Sequence, residues 1–298
     1  MSPLLIVTGA SRGFGRALSI AFATKLSNAG VSLTCVLLAR DEVGLAETRA
    51  QILSSVPDAN VTLVVGDLSD VNGFDSIWTR VIESSVGGFP FTRAILINNA
   101  GSTGPIGAVH ELGKNAVGVS ALRTSLDLNI VFPLLFTAAF LRFCASPAFV
   151  PVPIDGTPPH VIVNVSSLAG VVPFSTMGVY SLGKAARDMF HNVIGIEHNT
   201  TAVTSAASAA TATTTTTTTT GRVMVKTLSY APGPMDTILQ SETRADAHLD
   251  LATSAFFNEM EAKGTWVNID TSARLCARIV AEDDFVSGAH IDYYDRAQ

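Results

Sequence analysis

A glycine-rich turn near the N-terminus constrains the fold more than any other feature of this chain. The turn, Thr8–Gly15, joins an apolar run at Leu4–Thr8 to a helical pattern at Phe14–Ser27. Its glycines permit a tight turn, a close approach of the backbone to a pyrophosphate, and close packing of the helix on the strand. The start of the helix adds free N–H groups and a positive dipole end. The turn therefore predicts a dinucleotide site at the start of an α/β fold.

Apolar runs of strand length alternate with longer helical patterns along the chain. These runs are continuous rather than alternating in polarity, which is typical of strands covered on both faces. The order predicts a Rossmann-type doubly wound parallel sheet flanked by helices, in a single domain spanning residues 1–298. Strands are predicted at Leu4–Thr8, Ser32–Ala39, Val61–Val65, Arg93–Asn98, His160–Ser166, Arg222–Tyr230 and about Ala289–Tyr293; helices at Phe14–Ser27, Glu42–Ser54, Val71–Ser84, Val119–Cys144 and Ser181–Ile196.

Two segments interrupt this alternation. Ser146–Pro159 is rich in proline and predicts a surface loop before the fifth strand. Thr200–Thr220 consists almost entirely of Thr, Ala and Ser, so it has nothing large enough to fill a core. We interpret it as a flexible low-complexity insertion before the sixth strand.

Charge and composition exclude several kinds of partner. A net charge of −6 without any basic run argues against nucleic acid or an anionic membrane. The three cysteines lie far apart and lack metal-ligand spacing, so we expect small apolar residues in a reducing, cytoplasmic compartment and no metal. The apolar stretch Val131–Phe143 contains a proline and an arginine and is too short to span a membrane.

Two arginines indicate which dinucleotide binds. Sites for NAD usually place an acidic residue near the end of the second strand, whereas this strand ends in Ala39-Arg40 and the turn already contains Arg12. Two guanidinium groups suit a 2′-phosphate better than a free diol, which predicts NADP (NADPH); the alternative is that both are solvated surface residues. Asp67-Leu68 closes the third strand, where an adenine ring would rest.

Four polar residues in the second half of the fold suggest carbonyl reduction. Tyr180 and Lys184 are one helical turn apart, Ser167 follows the fifth strand, and Asn129 lies in the preceding helix. Reduction of a carbonyl by hydride requires a proton donor for the developing alkoxide. A phenol becomes a better acid–base group beside an ammonium, which is the role expected for Lys184. Ser167 would hold the carbonyl oxygen.

In their order, these motifs make the chain resemble the short-chain dehydrogenase/reductase family. The turn Thr8–Gly15 and the strand-four motif Asn98–Gly101 match its cofactor motifs. Its catalytic tetrad matches Asn129, Ser167, Tyr180 and Lys184. The resemblance implies that the lysine also binds the nicotinamide ribose and that the asparagine holds a water in the proton relay.

A narrower resemblance connects the chain to a branch of that family that uses NADPH to reduce the side-chain keto groups of pterins, in tetrahydrobiopterin synthesis. It rests on Tyr230–Thr237 and Ser287–Asp295 as well as on the motifs above. The substrate contacts that it implies are Ser166, Ser167, Tyr180, Gly233 and Asp292. The cofactor contacts are Gly9, Ala10, Ser11, Arg12, Gly13, Phe14, Gly15, Ala39, Arg40, Asp67, Leu68, Asn99, Lys184, Met235, Asp236, Thr237 and Gln240.

Asp292 separates the alternatives that remain. A pterin presents a guanidine-like edge to which a carboxylate can accept two parallel hydrogen bonds, whereas a small apolar ketone or diketone has no use for that charge. A second alternative is a regulatory protein that binds NADP without catalysis, which the complete set of Ser167, Tyr180 and Lys184 argues against. The apolar helices Val119–Cys144 and Ser181–Ile196 predict a homodimer, with a tetramer left open.

Overall fold

A single parallel sheet forms the centre of the molecule. The computed structural model describes residues 2–27, 32–85, 90–114, 116–149, 160–198 and 224–296. The seven strands follow the order β3-β2-β1-β4-β5-β6-β7, so the chain changes direction between β1 and β4 and opens a crevice at their carboxyl ends. The strands are β1 Ser2–Thr8, β2 Thr34–Ala39, β3 Asn60–Val65, β4 Phe91–Asn98, β5 His160–Val165, β6 Val225–Ala231 and β7 Ala289–Asp292. The predicted fold class is confirmed, and the predicted strands fall within a few residues of these bounds.

Helices cover both faces of the sheet. They are α1 Gly13–Leu26, α2 Glu42–Ser55, α3 Phe74–Ser85, α4 Ala116–Leu126, α5 Phe132–Cys144, α6 Gly178–His198, α7 Ile238–Ala245, α8 Leu251–Lys263, α9 Ile269–Ala281 and the single turn α10 Tyr293–Arg296. Sequence analysis does not predict α7, α8 or α9. For α9 a signal was available, since Asn268 caps it and Ala273, Cys276 and Val280 recur at helical spacing on its buried face.

Burial on both faces explains why the strands are continuously apolar. In β1, Leu5 and Val7 belong to a core that packs under α1 and α9, whereas Leu4 and Ile6 face a second core under α3 and α5. Successive side chains of a strand point to opposite faces, so a strand covered on both sides needs an apolar residue at every position. The three cysteines are buried free thiols.

The predicted helix Val119–Cys144 is helical throughout but is not a regular α-helix. A π-helical turn, Asp127–Val131, separates α4 from α5 and contains Asn129. By length and composition alone, the continuous helical stretch Gly118–Cys144 could cross a membrane. It is longer than the apolar stretch Val131–Phe143, which sequence analysis considers too short to do so. Its phenylalanines Phe132, Phe136 and Phe140 are nevertheless buried against the sheet, as in a core helix. The predicted insertion 200–220 and most of the proline-rich loop lie outside the described residues.

Candidate active site

The turn between β1 and α1 forms a cradle that only glycine can build. Gly9 and Gly13 have φ angles of +68° and +54°, which favour glycine. A Cβ on Gly15 would overlap the carbonyl oxygen of Gly9, so the helix can start this close to the strand only without a side chain. The Asn99 side chain donates to the carbonyl oxygens of Thr8 and Gly9, both at 3.1 Å, and fixes the turn from β4.

Thr48 on α2 and Arg16 on α1 brace the turn from the other side. Thr48 Oγ1 donates to the Ala10 carbonyl at 2.8 Å, and Arg16 Nη2 donates to the Ser11 carbonyl at 2.5 Å. Arg16 also forms an ion pair with Glu47 at 2.7 Å. These bracing residues are missing from the sequence-based site, because nothing in the sequence indicates which side chains of α1 and α2 reach the turn.

A cavity of about 1370 Å³ runs along the carboxyl edge of the sheet. Most of the predicted site residues line it, from both halves of the chain. They are Gly9, Ser11, Arg12, Gly13, Phe14, Gly15, Ala39, Arg40, Asp67, Leu68, Asn99, Ser166, Ser167, Tyr180, Lys184, Gly233, Met235, Thr237, Gln240 and Asp292. Three predicted residues lie outside this lining: Ala10 is fully buried, Asn129 is buried behind the wall, and Asp236 forms an ion pair with Arg244 at 3.2 Å.

Two arginines lie at the end of the cavity formed by β2 and β3. Arg12 and Arg40 both line it and are exposed. Arg40 approaches Asp67 loosely, with 3.8 Å between Nη1 and Oδ2, whereas Arg12 has no ion pair within the described part of the chain. Burial alone would raise the pKa of Asp67, but hydrogen bonds from Ser69 and the charge of Arg40 lower it, so this carboxylate is ionised. The arginines keep donors available for an anion.

Ser167, Tyr180 and Lys184 meet in the middle of the cavity wall. Lys184 Nζ lies 5.5 Å from the centre of the Tyr180 ring and donates to the Val165 carbonyl at 2.7 Å. Ser167 hydrogen-bonds to the Tyr180 hydroxyl, and its own oxygen accepts from the Ala169 N–H at 3.2 Å. The strand end and one helical turn thus bring together the three side chains that sequence analysis selects.

A buried arginine that sequence analysis did not select lies under this group. Arg187 is fully buried and donates to the carbonyl oxygens of Asn98 and Ala100 at the end of β4. Burial and, to a smaller extent, the charge of Arg187 together lower the pKa of Lys184 to about 7, although Asp188 acts in the opposite direction. Burial raises the pKa of Tyr180, while Ser167 and Arg187 act in the opposite direction. The positive charge that lowers the pKa of the phenol is therefore that of Arg187, whereas sequence analysis expects Lys184 in this role.

Asn129 braces the site from behind. Its Oδ1 accepts from the Ser102 N–H and its Nδ2 donates to the Ser102 carbonyl, both at 3.0 Å. Nδ2 also donates to Ser125 Oγ at 3.1 Å. A Cβ on Gly183 would be 3.1 Å from Asn129 Cβ, so the π-helical turn packs directly against the helix that carries Lys184.

At the far end of the cavity, Asp292 closes β7 and Gly233 follows β6. Asp292 Oδ1 accepts from the Tyr294 N–H at 3.0 Å, which orients the carboxylate before any ligand arrives. Gly233 has a φ of +78°, and a Cβ there would be 2.8 Å from the Val267 side chain. Both residues line the same cavity as Tyr180.

Comparison with known proteins agrees with this geometry. The family model for short chain dehydrogenase matches residues 3–225. Sepiapterin reductase from Rattus norvegicus is 31% identical over 295 residues, which cover 97% of this chain and 95% of that protein. Benzil reductase ((S)-benzoin forming) from Bacillus cereus is 23% identical over 284 residues, covering 95% and 96%. A solved short chain dehydrogenase/reductase from Saccharomyces cerevisiae superposes with a TM-score of 0.73 at 21% identity, covering 100% of this chain and 98% of that one.

The chain belongs to the short-chain dehydrogenase/reductase family. Within that family it resembles sepiapterin reductase over nearly its whole length. It is thus an oxidoreductase that acts on a carbonyl or CH–OH group, and family membership favours this over the non-catalytic alternative.

The fold binds a nicotinamide dinucleotide, and the residues present fit one. The glycine cradle offers bare backbone to phosphates. Gln240 lines the cavity, and its buried Nε2 has no hydrogen-bond partner in the described ranges, so one donor remains for a bound group.

Proposed function

We propose that this enzyme reduces the side-chain keto groups of pterins such as sepiapterin and 6-pyruvoyl-tetrahydropterin with NADPH, in tetrahydrobiopterin synthesis. One observation carries the proposal: the oriented carboxylate of Asp292 lines the same cavity as Ser167 and Tyr180. A carboxylate there can accept from the guanidine-like edge of a pterin. The similarity to sepiapterin reductase supports the same substrate class.

The side chains supply proton transfer and orientation. The bound cofactor supplies the hydride that adds to the carbonyl carbon. Ser167 donates a hydrogen bond to the carbonyl oxygen, where negative charge develops. Tyr180 gives its proton to that oxygen, which completes the alcohol. Lys184 binds the ribose, and together with Arg187 it keeps the surroundings of the resulting phenolate positive.

The charge at the adenosine end supports NADPH as the cofactor. Arg12 and Arg40 lie where the ribose 2′ position of a bound dinucleotide is expected, next to the end of β2. A 2′-phosphate would accept charge-assisted hydrogen bonds from both guanidinium groups, whereas the ribose hydroxyls of NAD would offer neither of them a charged partner.

The test is NADPH oxidation by the purified enzyme with sepiapterin and, in parallel, with 2,3-butanedione. We expect a clearly higher specificity constant for sepiapterin, because only that substrate engages Asp292. An enzyme that reduces the diketone but not sepiapterin would refute the pterin assignment and leave the reductase chemistry in place.

A second candidate is reduction of another small ketone or diketone. Two observations favour it: the similarity to benzil reductase, and the aromatic side chains of Phe174, Phe256 and Phe257 in the cavity wall. An apolar diketone could be held by these rings without Asp292. Benzil belongs in the same assay, and a preference for it over both other substrates would support this candidate.

We also infer a homodimer in the cytoplasm. Large apolar side chains remain exposed in the isolated chain on α5, on the π-helical turn that precedes it, and on α6: Val131, Leu135, Leu182, Met189, Val193 and Ile196. Apolar faces of this kind on two adjacent helices are suited to pairing across a two-fold axis. Light scattering should give the mass of two chains, and Met189→Glu should shift it toward one.

The free buried thiols are compatible with the reducing, cytoplasmic compartment.

A further inference from the structure

One carboxylate connects the catalytic helix to strands β5 and β7. Asp188 lies on α6, one turn after Lys184, and its side chain is 13% exposed. Its Oδ1 accepts from Asn164 Nδ2 at 2.8 Å, and its Oδ2 accepts from Ser166 Oγ at 2.7 Å. The mechanism above gives this partly buried carboxylate no role.

On one side, Asp188 holds the segment that carries Ser167. Its partner Ser166 is the adjacent residue, so the hydrogen bond at 2.7 Å fixes the backbone from which Ser167 projects. The turn after Ser167 packs on the same carboxylate, because a Cβ on Gly170 would be 2.8 Å from Asp188 Oδ2. Only a residue without a side chain lets the turn lie so close.

On the other side, Asp188 reaches the C-terminal strand. His290 Nδ1 lies 3.0 Å from Asp188 Oδ2, and His290 is two residues before Asp292 on β7. Strand β7 is four residues long and lies at the edge of the sheet, beside β6. Short edge strands have few backbone hydrogen bonds, so a buried side-chain pair contributes a large share of what fixes the position of Asp292.

The charges on this pair agree with the geometry. The hydrogen bond to Asp188 raises the pKa of His290, which Asp292 and Asp295 raise further. Burial alone would raise the pKa of Asp188, but hydrogen bonds from His290 and Ser166 hold it below its usual value. Each partner thus stabilises the charged form of the other.

We propose that Asp188 and His290 are positioning residues, which hold Ser167 and Asp292 at fixed places around Tyr180. Two arms of contacts leave Asp188: the Asp188 arm runs through Ser166 to Ser167, and the His290 arm runs through His290 to Asp292. Asp188 takes part in both arms, whereas His290 takes part only in the second. The His290 arm rests on the proposed function, because it assumes that Asp292 binds the substrate. The Asp188 arm does not, since Ser167 acts on any carbonyl.

The experiment compares His290→Leu, His290→Asn and Asp188→Asn, with sepiapterin and 2,3-butanedione as substrates. In His290→Leu we expect KM for sepiapterin to rise about tenfold, the factor for one charge-assisted hydrogen bond, with kcat and the diketone constants within about twofold. His290→Asn should restore KM, because an amide nitrogen can take the place of Nδ1. In Asp188→Asn we expect kcat to fall about tenfold on both substrates.

A matched control is Asp284→Asn, which removes a 2.8 Å ion pair with Arg296 in the same C-terminal segment but does not touch Asp188. It should leave all constants unchanged. Equal increases in KM for both substrates in His290→Leu, an equal effect in the control, or no effect of Asp188→Asn would each overturn the proposal. If the wild type does not reduce sepiapterin, the proposed function fails, and Asp188→Asn with the diketone still decides the Asp188 arm.

Discussion

The two ends of the cavity are built in different ways. The cofactor end consists mainly of backbone from one continuous turn, Thr8–Gly15, braced by Asn99 and α2. The substrate end consists of side chains that come from β5, α6, the loop after β6, and β7. A backbone cradle recognises a group common to many reactions, whereas single side chains recognise one substrate. Substitutions at the cofactor end should therefore affect all substrates alike, and those at the substrate end should discriminate.

The largest effect is expected for Tyr180→Phe, which tests the proposed proton donor between the cofactor end and the substrate end of the cavity. Loss of the proton donor should lower kcat by about a hundredfold or more, with both sepiapterin and 2,3-butanedione. Cofactor binding, measured by NADPH fluorescence, should remain nearly unchanged because the glycine cradle is intact. Turnover near the wild-type level would contradict the assignment of Tyr180.

Arg40→Asp tests the cofactor end. Replacing a phosphate partner by a repulsive charge should lower the NADPH/NADH ratio of specificity constants by about 10- to 100-fold. If the cofactor end affects all substrates alike, the NADPH/NADH ratio should fall by the same factor with sepiapterin and with 2,3-butanedione. Asp41→Asn at the N-cap of α2, a neighbouring carboxylate that forms no ion pair with Arg12 or Arg40 among the described residues, is a suitable control. An unchanged ratio would contradict the charge argument.

Asp292→Asn tests the substrate end. The amide is nearly isosteric, but one of its heads becomes a donor that faces the donors of the pterin edge. Because Asp292 is only partly buried, we expect a loss of about 5- to 10-fold in kcat/KM for sepiapterin, with the diketone unaffected. Equal losses with both substrates would mean that Asp292 supports the fold rather than recognition.

The smallest effect is on stability and concerns Lys184→Met in the cofactor-free protein. The pKa of Lys184 is lowered from 10.5 to about 7, so the unfolded chain binds more protons between these values. The cost of the buried charge is fully present below pH 7 and vanishes as the pH rises toward 10.5. The variant should therefore have a Tm above the wild type at pH 6, and the difference should shrink by pH 10. A difference that does not change with pH would contradict the lowered pKa.

The sequence located the cofactor end well because the turn is local. Thr8–Gly15 contains its own conformational requirements, namely glycines at positive φ and a strand and helix on either side. The positions of the strands along the chain and the pair Tyr180–Lys184 could be predicted for the same reason, since both depend on patterns within a short stretch. Helices α7, α8 and α9 are not predicted, although the capping residue Asn268 and the helical spacing of Ala273, Cys276 and Val280 indicate α9.

The sequence by itself determined the doubly wound sheet and the family, and it predicted the glycine cradle and the residues proposed to carry the chemistry. The tertiary structure alone decided which distant side chains support them. Arg187 under Tyr180, the Arg16 and Thr48 braces, and the Asp188–His290 pair each join residues that lie on separate elements. Their contacts depend on how helices pack on the sheet, and a buried charge or hydrogen bond becomes strong only where that packing excludes water.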